Sequence, residues 1–195
     1  IRHFDTPQGL QATLRPYQQE GYNWMRSMQE LGFGICLADD MGLGKTIQIL
    51  TLLLSRFEQK IHKPSLVIVP RSLIFNWQAE AEKFCPDLKT LNYTGLSRKK
   101  HRKHFQDYQV IITTYGTLKN DVQILRETDF DYCILDEAQA IKNSKTASAK
   151  AALLIEAEHR LALSGTPIEN HLGELWSLIE FLNPGMLGTS AAFDR

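Results

Sequence analysis

Cysteine is scarce in this 195-residue chain, and its placement excludes two classes of small protein. Cys36, Cys85 and Cys133 lie far apart, with no C-x-x-C pair to hold a zinc ion or to begin a disulfide framework. Cys36 and Cys133 sit inside apolar runs, which is the setting of buried thiols in a reducing compartment. An excess of one charge is also missing, since 22 Lys and Arg balance 22 Asp and Glu. Any contact with a polyanion must therefore come from a local patch. No apolar run approaches the ~18 residues of a membrane span, and the N-terminus lacks the layout of a signal peptide. There is no internal repeat, low-complexity tract or long linker. What remains, 43% apolar and 23% charged residues, is the composition of an ordinary globular domain. One compact domain over 1–195 is expected, and the start at Ile1 reads as that of a piece of a longer protein.

Five apolar runs are suited to buried parallel strands: Ile35–Ala38, Leu66–Val69, Val110–Ile112, Tyr132–Leu135 and Leu161–Leu163. Weaker strand candidates are Thr90–Tyr93 and the residues just before Leu161. Helical spacing runs from Leu14 to Leu31, with Pro16 suited to a first turn. It recurs over Thr46–Phe57, Ser72–Phe84, Ser97–Phe105, Ser144–Ile155 and His171–Leu182. Strands alternating with helices predict an α/β fold, a mainly parallel sheet of about seven strands with helices on both faces.

The run Ile35–Ala38 leads through Asp39, Asp40, Met41, Gly42, Leu43 and Gly44 into Lys45-Thr46 and an apolar-periodic helix. Strand, loop and helix in this order form a phosphate-binding loop, in which backbone N–H groups and the helix dipole favour a bound anion. Lys45 is placed to reach the β- and γ-phosphates of a nucleotide, and Thr46 to ligate Mg²⁺. The pattern G-x-x-x-x-G-K-[ST] asks for glycine where this chain has Asp39; Gly42 and Gly44 still allow close approach of the backbone.

In open parallel sheets ligands bind beyond the carboxyl ends of the strands, so other chemistry-bearing residues should follow strands directly. They do. Pro70-Arg71-Ser72, Thr113-Thr114-Tyr115, Asp136-Glu137 and Ser164-Gly165-Thr166 each follow one of the apolar runs. Asp136 at a strand end suits Mg²⁺ held through water, and Glu137 suits orienting a water and taking its proton. Trp77 falls in register with Leu73, Ile74 and Ala81, the spacing of core, and Ser72 has the type and place of an N-cap for the following helix. The basic run Arg98 to His104 fits either a solvated helix face or a phosphate-attracting patch. His101 and His104 have no cysteine near and only Asp107 as a neighbouring acid, a poor ligand set for zinc.

Taken together, these motifs resemble the N-terminal RecA-like lobe of the Swi/Snf-type ATPases, the DNA-translocase branch of helicase superfamily two. The resemblance runs from Leu14 to about Leu187. It rests on Leu14-Arg-Pro-Tyr-Gln-Gln-Glu-Gly21, Asp39-Asp-Met-Gly-Leu-Gly-Lys-Thr46, Leu66-Val-Ile-Val-Pro-Arg-Ser-Leu73 with Asn76-Trp77, and Thr113-Thr-Tyr115. Asp136-Glu-Ala-Gln-Ala-Ile-Lys-Asn143 and Leu163-Ser-Gly-Thr-Pro-Ile-Glu-Asn170 complete it. The family's loop commonly reads D-E-M-G-L-G-K-T, which accounts for Asp39; here Asp40 replaces the glutamate, and Gln139 stands where a D-E-A-H spelling has histidine. Both spellings point, by resemblance, to a prokaryotic member.

The resemblance implies a three-layer RecA-like fold and an ATP- and Mg²⁺-dependent motor. It places Gln18 at the adenine edge, with Arg15 assisting. Pro70, Arg71, Ser72, Thr113, Thr114 and Tyr115 would lie on the backbone of double-stranded DNA, and Gln139, Ser164, Gly165 and Thr166 would couple the two sites. It also implies a second RecA-like lobe supplying an arginine finger, without which this lobe binds ATP weakly and turns it over slowly or not at all. A monomeric protein with no membrane contact is expected, cytoplasmic and nucleoid-associated, or nuclear in a eukaryote. An RNA-directed helicase and a nucleotide-gated module without turnover are the alternatives.

Overall fold

The computed structural model of the chain describes residues 1–38, 44–165 and 172–187. Among these, six strands form one all-parallel sheet in the order β1-β6-β5-β2-β4-β3. They are β1 (Ile35–Ala38), β2 (Ser65–Val69), β3 (Thr90–Asn92), β4 (Val110–Thr114), β5 (Phe130–Leu135) and β6 (Ala157–Ser164). The helices are α1 (Pro16–Leu31), α2 (Lys45–Glu58), α3 (Ile74–Phe84), α4 (Tyr115–Leu125), α5 (Ala147–Leu154) and α6 (Leu172–Leu182). The expectation of about seven strands is corrected to six among the described residues. The apolar run at Leu161 and the weaker run before it are one continuous strand, β6, paired with β5 from Ala157 to Ala162 and with β1 from Leu161 to Ser164.

Every residue of β2, β4 and β5 is buried. That is why these strands read as continuous apolar runs rather than alternating ones. Their side chains still divide by the two-residue period of a strand. Leu66, Ile68, Ile111, Cys133 and Leu135 face α4, α5 and α6, whereas Val67, Val69, Ile112, Tyr132 and Ile134 face α1, α2 and α3. The result is a three-layer fold with two cores. Helix α2 is buried without a break from Ile47 to Ser55, because α1 and α3 cover the side that the sheet does not. At its far end Arg56 donates twice to Asp131, at 2.8 Å each, and ties α2 to the start of β5. The three cysteines are free thiols, Cys85 and Cys133 buried and Cys36 half-buried. Among the described residues no helix is long and apolar enough to cross a membrane.

Three local expectations are corrected. The stretch Ser97–Phe105 is not an α-helix but two short 3-10 turns, Leu96–His101 and Phe105–Asp107. Its arginines are drawn inward: Arg98 donates to both Asp121 oxygens at 2.7 and 3.0 Å, and Arg102 reaches Tyr93 and Asp121. Ser72 does not cap a helix, since a 3-10 turn (Arg71–Leu73) precedes α3 and Leu73 occupies the cap position. Helix α4 follows β4 without a loop, where no helical pattern had been read. Gly116, Thr117, Asn120 and Asp121 are weak helix formers, and the helix forms because Thr114 caps it, its Oγ1 accepting from the Thr117 N–H at 3.1 Å.

Candidate functional site

The carboxyl ends of β1, β6, β5 and β2 lie side by side, so the segments that leave them share one crevice. From β1 the chain reaches Gly44, at φ 84°, and turns into α2. Two constraints demand glycine there: the left-handed backbone, and the amide of Gln18, whose Nε2 lies 2.2 Å from where a Cβ would stand. Gln18 is thereby brought from α1 against the turn. It is buried, and its Oε1 accepts from the Arg15 N–H at 2.9 Å, which fixes the direction of its NH₂ group. Arg15 itself is exposed at the start of α1. Lys45, the first residue of α2, bends back so that Nζ donates to the Ala38 carbonyl, across the mouth of the turn. Asp39, Asp40, Met41, Gly42 and Leu43, and Thr166 on the other strand end, lie outside the described residues.

Asp136 and Glu137 emerge from β5 beside this turn. Asp136 is buried; its N–H donates to the Ile68 carbonyl at 2.8 Å, and its Oδ1 accepts from the Glu137 N–H at 2.8 Å. Glu137 adopts φ 51° and ψ 54°, a left-handed conformation that a non-glycine residue holds only when its surroundings impose it. Those surroundings are the residues expected to couple the two sites. The Gln139 Nε2 donates to Glu137 Oε2, and a Cβ on Gly165 would stand 3.4 Å from the same oxygen. Ser164, buried, pairs in register with Ala38 and so joins the acid pair to the phosphate turn. Gln139 thus makes a contact to the acid that a histidine at its position could also make.

Two residues that sequence reasoning did not place here belong to the site. Trp77, read as core, is fully buried and also donates its indole N–H to Asp136 Oδ2 at 2.8 Å. Glu80, on the next turn of α3, lies near Thr46; burial raises its carboxyl above the ordinary range, against the pull of Thr46 and Lys83. A signal for Glu80 existed, because it shares the apolar stripe of α3 with Trp77 and Ala81, where a charge needs a reason.

The expected nucleic-acid rim divides. Arg71 and Ser72 are exposed on their 3-10 turn, with Pro70 half-buried before them, and face outward as expected. The side chains of Thr113, Thr114 and Tyr115 do not. Thr113 Oγ1 donates to the Tyr93 carbonyl at 2.8 Å, Thr114 Oγ1 caps α4, and Tyr115 Oη donates to the Asp136 carbonyl at 2.7 Å. These three hydroxyls have partners inside the fold, as polar groups at the ends of buried strands usually do. In the basic segment Arg98 and Arg102 are likewise engaged, which leaves Lys99, Lys100 and Lys103 exposed.

A parallel sheet that brings a lysine at a helix start, a neighbouring hydroxyl and an Asp-Glu pair to one crevice defines a nucleotide-binding α/β domain of the phosphate-loop class. The comparisons with known proteins are more specific. The SNF2-related domain matches residues 17–195. YwqA of Bacillus subtilis, provisionally named an ATP-dependent helicase/translocase, is 43% identical over 190 residues, covering 95% of this chain and 21% of that protein. The TATA-binding protein-associated factor MOT1 of Saccharomyces cerevisiae is 41% identical over 208 residues, covering 98% and 11%. Among solved structures, the SWI2/SNF2 ATPase core of Sulfolobus solfataricus in complex with dsDNA superposes with a TM-score of 0.91 at 44% identity, covering 99% of this chain and 40% of that one. The chain belongs to the SNF2-related family. It spans about a fifth or less of the length of these curated relatives.

Proposed function

We propose that this chain is the first motor lobe of an ATP-dependent translocase on double-stranded DNA, completed by a second RecA-like lobe. The observation that carries the reading is the meeting of Gln18, Lys45, Thr46, Asp136 and Glu137 at one crevice, from three elements distant in sequence. The donor set fits Mg-ATP. A positive-φ glycine opens α2 toward an anion, Lys45 carries the charge for phosphates, and the Gln18 amide both donates and accepts, as an adenine edge requires. Among the described residues no three metal-ligating side chains gather. A cation here is therefore one held by a hydroxyl, a carboxylate, phosphates and water, the habit of Mg²⁺. Mg²⁺ supplies neutralisation of phosphate charge when bound. Thr46 and Asp136 are its expected holders, and Glu137, anchored by Gln139, takes the proton of the attacking water. On the rim, Arg71 and the exposed lysines of the basic segment supply contacts that hold a phosphate backbone without reading sequence. The solved relative bound to dsDNA supports duplex DNA as the partner.

The test is ATP hydrolysis by the full-length protein with no nucleic acid, duplex DNA, single-stranded DNA or RNA. Strong stimulation by duplex DNA, abolished in Lys45→Ala, is expected. Stimulation by RNA alone would instead identify an RNA-directed helicase, and ATP binding without turnover a nucleotide-gated module.

A further inference from the structure

The two motifs expected at the nucleic-acid rim both lead to the same residue, Asp136. Pro70-Arg71-Ser72 passes through its 3-10 turn into α3, and one turn along that helix Trp77 donates to Asp136 Oδ2 at 2.8 Å. Thr113-Thr114 closes β4, and the first residue of α4, Tyr115, donates to the Asp136 backbone carbonyl at 2.7 Å. Each bond comes from a donor with one proton to give. The Tyr115 phenol stays protonated, because burial and the nearby Asp136 charge push it well above its ordinary value. A carboxyl oxygen and the main chain of one residue are thus held by two different helices.

Helix α4 is also divided in two by a kink. Asp121 interrupts it with φ −110° and ψ 20°, and this kink is where Arg98 and Tyr93 grip the helix, at 2.7 and 2.6 Å from Asp121 Oδ2. The segment before the kink, Tyr115 to Asn120, stands between a fixed point and Asp136. At the receiving end, Asp136 Oδ1 accepts from Glu137 N–H, and Glu137 holds the left-handed backbone described above. A shift of Asp136 therefore reaches Glu137 through one hydrogen bond.

We propose that Trp77 and Tyr115 are positioning residues that couple occupancy of the DNA rim to the acid pair. A phosphate backbone seated on Arg71 and across the starts of α3 and α4 moves the two helices. Their hydrogen bonds set Asp136, and through it Glu137, in the geometry for hydrolysis. Coupling of binding is reciprocal, so nucleotide held at the acid pair alters DNA affinity by the factor that DNA alters nucleotide affinity. This inference rests on the reading of the chain as part of a DNA-stimulated ATPase.

The test uses the full-length protein and the variants Tyr115→Phe and Trp77→Phe, which keep a ring and remove the donor. Two quantities are read: the ratio of ATP turnover with and without duplex DNA, and the factor by which a non-hydrolysable ATP analogue with Mg²⁺ changes the duplex Kd. In Tyr115→Phe both factors should collapse toward one, a loss in the affinity linkage of about 5- to 150-fold. Trp77→Phe should act in the same direction. Both factors unchanged in the variants would overturn the proposal. So would a uniform fall in both rates with their ratio intact, the mark of a structural role only. A wild-type protein showing neither stimulation nor linkage would remove the motor reading itself, a failure visible before any variant is made.

Discussion

Glu137 carries its conformation at a cost, and its neighbours show what that cost maintains. Its left-handed backbone, the Gln139 amide and the close approach of Gly165 fix one carboxylate beside the end of β6. Glu137→Gln preserves side-chain size and removes the ability to accept a proton. In the complete motor it should lower turnover by about 10²- to 10⁴-fold, the usual worth of a general base, while ATP affinity stays near wild type. Single-turnover hydrolysis alongside equilibrium nucleotide binding checks this; a turnover loss below tenfold would remove Glu137 from the proton-accepting role. At this scale the sequence was informative about residue type and silent about direction. Lys45, Thr46, Asp136 and Glu137 were legible because their chemistry follows from the strand or helix end they occupy. The inward turn of Thr113, Thr114 and Tyr115 was not, because a hydroxyl at a strand end has the same letter whether it meets solvent or a carbonyl. Trp77 was legible as core, but its partner lies 59 residues away and no local spacing records it.

Among the elements, the basic segment between β3 and β4 shows how a charge run can hide a structural core. Asp121, only 4% exposed, accepts from Tyr93 at 2.6 Å and from Arg98 at 2.7 and 3.0 Å, and these bonds pin the 3-10 turn Leu96–His101 to the kink of α4. The Arg98 bonds hold the Asp121 carboxyl below its ordinary value, in spite of burial. A carboxyl depressed in the folded state contributes stability above its unfolded pKa of about 3.9 and loses it as pH falls through the folded value. Asp121→Asn should therefore destabilise the chain near neutral pH by about 3 kcal/mol, the scale of a broken buried pair. The gap between variant and wild type should narrow below about pH 4. Urea denaturation from pH 2 to 7 checks both parts, and a gap constant across that range would contradict the assignment. In sequence, Ser97–Phe105 reads as one helix between two strands. Two of its basic residues are claimed by Asp121 from another element, and the tighter 3-10 turns result.

At the scale of the molecule the sheet was legible almost strand by strand, since β2, β4 and β5 are buried on both faces and most of their residues are apolar. The division of labour beyond the sheet follows from what the crevice contains. It holds Lys45 at the start of α2 on one side and Asp136 and Glu137, at the end of β5, on the other. The exposed arginines near it sit at the start of α1 and on the rim: Arg15 and Arg71. Phosphoryl transfer builds charge on the transferred group, and an arginine supplied from a second body is worth roughly 10³- to 10⁵-fold in related mechanisms. Residues 1–195 alone should therefore bind ATP weakly and hydrolyse it at a rate close to background, with duplex DNA giving little stimulation. The same lobe joined to its second RecA-like lobe should gain about 10³-fold or more in turnover. Measuring both proteins side by side, with Lys45→Ala in each as the zero, decides the matter. Equal rates would mean that the crevice of this lobe already holds every group the reaction needs, and the two-lobe motor reading would fail.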